Sequence, residues 1–287
     1  MASKRTVLTV QLRRLASLLT EMREQAGISK EEVSARTGIN VTTLYRIETA
    51  QARPQRRTLT AMLDLYGIGD PQRSDAVQLL TDALRPGMSR PFEAAVSDVY
   101  AAYINFEAEA LSARLFQNSF IPGLLQTERY GWAVLDTAMP QVEAGVIEQR
   151  LRARVERATV LHREGNPLDL WVVLDEAALR RVVGGTDVMR EQLSRLAEET
   201  EKRNVILQVL PFGAGAHPAM VGSFVVLDFP DPADPELVYV EGIAGDDIIE
   251  GHNEIRRFGV MFDQLRAMAL SPRDSMEMIA ATAKELR

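Results

Sequence analysis

From Gln11 to Ala26 the apolar residues Leu12, Leu15, Leu19, Met22 and Ala26 recur at steps of three and four. That period predicts an amphipathic helix, which Gly27 ends because glycine takes positive φ without a Cβ penalty. Ser29 with Glu32 three positions on spells a capping box, opening a short helix whose apolar residues are Val33 and Ala35 and which Gly38 closes. Asn40 is a further N-cap, starting Val41 to Glu48, where Leu44 and Ile47 face inward. Val41, Thr42, Tyr45 and Arg46 lie on other faces. Two short helices joined across Gly38-Ile39-Asn40 are the pattern of a helix-turn-helix, whose second helix enters a DNA major groove. A loop Thr49–Thr58 carrying Arg53, Arg56 and Arg57 follows, then a helix Leu59–Tyr66 and another from Asp70 to Arg85.

Arg85-Pro86-Gly87-Met88-Ser89-Arg90-Pro91 reads as a linker, with two prolines and a glycine in seven residues. The organisation expected is a mainly α helix-turn-helix domain over 1–85, a linker over 86–91 and an α+β domain over 92–287. In the latter, Val96, Val99, Tyr103, Phe106, Ala110 and Ala113 predict one long helix from Phe92 to Leu115. Phe120 to Thr127 forms a turn feeding a helix through Trp132. Ile147, Leu151, Ala158 and Leu161 mark another helix, whose Arg150, Arg152, Arg154 and Arg157 read as a solvated face paired with glutamates rather than a second nucleic-acid surface. Leu168–Leu174 and Val205–Leu210 are strand-like, with a helix between them on Met189, Leu193 and Leu196. Phe224–Phe229 and Leu237–Glu241 make a hairpin across Pro230–Pro235. This order predicts a small mixed sheet packed by helices, and Ile255–Ala269 and a Ser271-Pro272-capped segment predict the last two helices.

Charge sharpens the division. The chain of 287 residues has net charge −7. Residues 1–69 nevertheless hold 11 Lys and Arg against 6 Asp and Glu, a balance of +5, leaving −12 on the remainder. A basic head on an acidic body suits a protein whose head alone meets phosphates. The absence of cysteine excludes thiol catalysis, thiolate metal sites and disulfides. No apolar run reaches the ~18 residues of a membrane span, and the first residues lack a signal peptide's apolar stretch, so a cytosolic chain is expected.

Gly27-Ile28-Ser29, Val33, Gly38-Ile39-Asn40, Leu44-Tyr45-Arg46-Ile47-Glu48, Arg53-Pro54 and Leu59 to Leu63 together resemble the Xre/Cro/C1-type helix-turn-helix domain of bacterial repressors, over roughly Leu12 to Ile68. By position, the resemblance implies that Asn40, Val41, Thr42, Thr43, Tyr45 and Arg46 face DNA. Lys30 stands where that family often has a phosphate-touching Gln, and the Arg53, Arg56, Arg57 loop adds cations. Glu48-Thr49-Ala50 replaces the common Glu-Asn-Gly, which predicts a looser helix end.

Phe120 to Thr127, Gly184-Gly185 with Met189 to Leu193, Gln208 to Pro211, Gly215 to Pro218, Gly222-Ser223-Phe224, Tyr239-Val240-Glu241 and Leu270-Ser271-Pro272 resemble the domain of unknown function behind such heads in actinobacterial, WhiJ-like regulators. That resemblance implies association, response to a ligand, and a small partner protein encoded nearby. It implies no chemistry and no cofactor. The expected function is a DNA-binding transcriptional regulator acting as a homodimer on a two-fold operator, with the apolar-faced helices Phe92–Leu115 and Ile255–Ala269 as the dimer contact. The rival is a toxin–antitoxin-like interaction protein that binds a small partner and autoregulates its operon; an enzyme fused to a DNA-binding head is a third.

Among candidate sites, Glu250, His252 and Glu254 lack the spacing of a metal site, and none is expected. His217, in the glycine-rich loop after a strand, reads first as a structural loop histidine. It and Gln126 are nevertheless the candidates for ligand or partner contact.

Overall fold

The computed structural model describes residues 7–85, 87–232 and 234–286. Lys4 and Arg5 of the basic head, the chain's first six residues and Pro86 of the linker lie outside the described residues. The chain divides into two compact units, residues 1–90 and 91–287.

The first unit is five helices: α1 Val10–Gln25, α2 Lys30–Thr37, α3 Val41–Glu48, α4 Arg56–Leu65 and α5 Gln72–Asp82. Their apolar stripes meet in one core, with Leu15, Leu19, Met22, Val33, Leu44, Ile47, Leu59, Met62, Leu63 and Leu80 among its buried members. At ~1.5–3 kcal/mol for each fully buried large aliphatic side chain, this core holds helices that are individually too short to persist in water. Two expectations change here. Ala35 is exposed, so α2 contributes Val33 alone. The loop after α3 is also shorter than Thr49–Thr58, because α4 begins at Arg56 and places Arg56 and Arg57 in its first turn.

The second unit is built on a six-stranded mixed sheet of order β3-β2-β1-β4-β5-β6. Its helices and strands run α6 Asp98–Glu109, β1 Ser112–Gln117, α7 Glu128–Ala138, α8 Ala144–Ala158, β2 Asp169–Asp175, α9 Glu176–Arg180, α10 Thr186–Thr200, β3 Val205–Leu210, β4 Phe224–Asp228, β5 Leu237–Val240, β6 Asp247–Ile249, α11 His252–Met268 and α12 Pro272–Glu285. β1, β2 and β3 are parallel, and β1–β4, β4–β5 and β5–β6 are antiparallel. Successive residues of a strand point to opposite faces. Phe116, Val173, Phe224, Val226 and Val238 therefore share one face, where they pack with Ile255, Phe262 and Leu265 of α11.

The expected single helix Phe92–Leu115 is not formed. A 3₁₀ turn spans Arg90–Phe92, Ser97 caps α6 by accepting from the Tyr100 N–H at 3.1 Å, and Ala110 turns extended at φ −66°, ψ 146°. Ala113, which continued the helical period, belongs to the central strand β1, where Leu115 sits between Val172 and Val225. Tertiary pairing on both edges overrides the local period. The expected dimer contact changes with it. The apolar side of α11 is spent on the unit's own sheet, and Tyr103, Ile104 and Phe106 of α6 are likewise buried. No helix among the described residues is long and apolar enough to cross a membrane.

Candidate functional site

The turn between α2 and α3 is set by two residues. Gly38 takes φ 72° and closes α2, its N–H donating to the Ser34 carbonyl. Asn40 Oδ1 accepts from the Thr42 N–H at 2.8 Å, satisfying one orphan donor of α3. The Ser29–Glu32 capping box forms in both directions, at 3.2 Å and 2.8 Å, and its hydrogen bonds hold the Glu32 carboxyl below the usual range. Leu44 and Ile47 fix the roll of α3 by facing the core. Thr42, Thr43, Tyr45, Arg46 and Asn40 are consequently exposed together, with Val41 half-buried beside them. A threonine hydroxyl and methyl, a phenol and a forked guanidinium are groups that read base edges. Arg56 and Arg57 stand exposed at the start of α4, while Arg53 is half-buried, its Nε without a hydrogen-bond partner.

Not every cation of the head is available to phosphate. Glu48, with a 2% exposed side chain, accepts from Arg23 Nε at 2.7 Å and NH2 at 3.1 Å. Arg23 also donates to the Ile28 carbonyl at 3.1 Å. Lys30 Nζ lies 3.3 Å from Oε2 of the same carboxylate and 5.3 Å from the centre of the Tyr45 ring. Glu48 thus ties α1, α2 and α3 together, a role that no local spacing announces. The helix end after it is closed rather than loose. Ala50 takes the left-handed conformation at φ 55°, its N–H donates to the Ile47 carbonyl, and Ala52 N–H reaches the Arg46 carbonyl at 2.9 Å. Left-handed backbone costs a non-glycine residue ~1–2 kcal/mol. Burial of the Ala50 methyl against Leu12, Ala16 and Ala83 returns about 0.8 kcal/mol of that.

In the second unit, Gln126 and His217 are not brought together. Gln126 Nε2 donates to the Ile121 carbonyl at 2.7 Å, and its Oε1 accepts from Arg154 at 3.0 Å. Gln192, fully buried, grips the same loop through the Thr127 N–H and the Leu125 carbonyl, each at 2.7 Å. His217 lies against the edge of Phe116 at 5.4 Å, with Nε2 3.7 Å from Asp175 and Nδ1 buried and unpaired. Phe116 and Gln117 point to opposite faces of β1, and Gln117 shares a cavity wall with Arg154, so the sheet separates the two candidates.

The arginine-rich face of α8 is a correction. Arg157 is buried, not solvated, and clasps Glu107 of α6 with Nε–Oε2 2.7 Å and NH2–Oε1 2.9 Å. Tyr103 donates to the same carboxylate, Arg157 reaches the Tyr100 hydroxyl, and its guanidinium lies 5.0–5.2 Å from both tyrosine ring centres. The signal was in the sequence: Tyr100, Tyr103 and Glu107 at steps of three and four, and Arg150, Arg154 and Arg157 likewise, each mark one helix face. Among the described residues no three His, Asp or Glu side chains converge as a metal site.

Residues 100–281 match the family described as Domain of unknown function (DUF5753), and residues 14–76 match a helix-turn-helix domain. No curated protein and no solved structure matches the chain. The helix-turn-helix match covers α2, α3 and α4 whole and supports a DNA-binding regulator.

Proposed function

We propose that this chain, which belongs to the DUF5753 family, is a sequence-specific transcriptional regulator that binds its operator as a homodimer. In this reading it performs no catalytic step, and its C-terminal unit mediates association and response to a ligand or small partner protein. One observation carries the reading: the core fixes α3 so that Thr42, Thr43, Tyr45 and Arg46 are exposed together, with Arg56 and Arg57 exposed in the first turn of α4. Arg46 reads a guanine through a bidentate pair, Thr42 contacts a thymine methyl, and the arginines of α4 neutralise phosphates. A single head covers one half-site, so a two-fold operator needs two heads about one helical turn apart.

Selection of binders from a pool of random duplexes by the full chain tests this. The expected product is one pseudo-palindrome with half-sites centred ~10 bp or a multiple apart, bound by a species that light scattering sizes as a dimer. Recovery of unrelated sequences, or a monomer on a single half-site, contradicts it.

A further inference from the structure

Two adjoining cavities, of about 50 Å³ and 240 Å³, share Tyr100, Arg154 and Glu241 as walls. The smaller reaches down to Gln117 on β1, and the larger opens past Val96, Leu135 and Asp246. Gln117 is 8% exposed, and its Oε1 is buried without a hydrogen-bond partner. A buried acceptor left unmade is costly in a native protein and marks a place where a donor is missing.

The charges around the cleft are uneven in the same sense. Arg157 is neutralised by Glu107, and Arg150 is spent on the Ala95 carbonyl and the Met139 sulfur. Arg154 is half-buried, donates to the neutral Gln126 amide, and among the described residues has no carboxylate within 4.0 Å. Among the described residues Glu241 and Asp246 have no cation within that distance either; Asp246 takes a 3.5 Å contact from the Ser97 hydroxyl and faces the Tyr239 phenol, whose pKa it helps to raise. Protein crowding around Glu241, which is open to the cleft, pushes its carboxyl up, against the pull of Arg154. One wall therefore offers a guanidinium suited to a carboxylate. Others offer two carboxylates and an amide oxygen suited to an ammonium group, and the Tyr100, Leu135 and Val96 side chains offer apolar surface.

We infer that this cleft binds a free L-α-amino acid, its carboxylate on Arg154 and its ammonium on the Glu241 and Gln117 oxygens, which line the smaller cavity with Arg154, while its side chain extends into the larger one. A phosphate ligand would face two carboxylates, and a simple cation would face Arg154 unmatched; a zwitterion meets both. The larger cavity, about 240 Å³, has room for a small organic ligand. The inference deepens, and rests on, the reading of the C-terminal unit as ligand-responsive.

Calorimetric titration of the full chain with each of the twenty L-amino acids tests it, alongside the matching deaminated acid and decarboxylated amine of any that binds. The expected result is saturable binding of at least one, weakened at least tenfold by removing either ligand charge and by Glu241→Gln or Gln117→Leu. Glu241 is at the solvent-open rim, so its replacement leaves the fold intact, as unchanged tryptophan fluorescence would verify. Absence of binding by all twenty, or binding that Glu241→Gln leaves unaltered, overturns the site. The same amino acid added to a duplex titration separates the two readings. A bound amino acid that leaves duplex affinity unchanged defeats the regulatory role and leaves the site standing, whereas failure to bind leaves DNA recognition by α3 untouched.

Discussion

Removing the Glu48 carboxylate is expected to destabilise the N-terminal unit by up to about 3–5 kcal/mol, because the Arg23 guanidinium would keep only the exposed Glu24 carboxylate, at 3.4 Å, as a counter-charge. The double variant Arg23→Met/Glu48→Leu should recover much of that loss, since an apolar pair of similar bulk carries no desolvation cost. Both tryptophans, Trp132 and Trp171, lie in the second unit. Loss of far-UV circular dichroism at constant tryptophan fluorescence therefore reports the first unit alone. Equal stability of the single and double variants would contradict the role assigned to the pair. Local rules made the caps legible from the sequence: Ser29, Gly38 and Asn40 each act through neighbours two to four residues away. Glu48 was not legible, because its partner Arg23 is 25 residues distant, and no spacing rule links them.

At the scale of the element, α2 owes its start to the Ser29–Glu32 box, and this gives it a pH signature. The folded Glu32 carboxyl lies below its ordinary value of 4.5. Its contribution is thus complete above 4.5 and is lost as pH falls through the lower folded value. Glu32→Gln keeps an acceptor but no titrating charge, so the first unit of this variant should show a flatter acid limb between pH 5 and 3 than the wild type. Identical acid limbs would mean that the box adds nothing measurable. Periodic elements were read well wherever one face alone is buried, as in α1, α3, α4 and α11. The period misleads after α6, where Ala110 and Ala113 keep a helical step that the sheet overrules at β1, and at α8, where Arg157 turns inward to Glu107. In both cases a partner far along the chain decided the outcome.

For the whole molecule, the charge split between a basic head and an acidic body pointed to a division of labour, and the chain does form two units. Of the head's described cations, Arg23 and Lys30 are held at Glu48, which among the described residues concentrates the exposed charge on Arg36, Arg46, Arg56 and Arg57. The cleft was illegible in the sequence, since its walls come from α6, β1, α7, α8, β4, β5 and the loops after β1 and β5. Only the completed sheet assembles them.

The most direct measurement is the affinity of the full chain for its selected duplex and for a scrambled one, across salt concentrations, in the wild type, Arg46→Ala and Arg57→Ala. Arg57→Ala should weaken both duplexes alike and lower the salt slope by about one. Arg46→Ala should lose ~1–3 kcal/mol on the selected duplex and relax one base position. If Arg46→Ala keeps both wild-type affinity and wild-type preference, α3 is not the element that reads DNA.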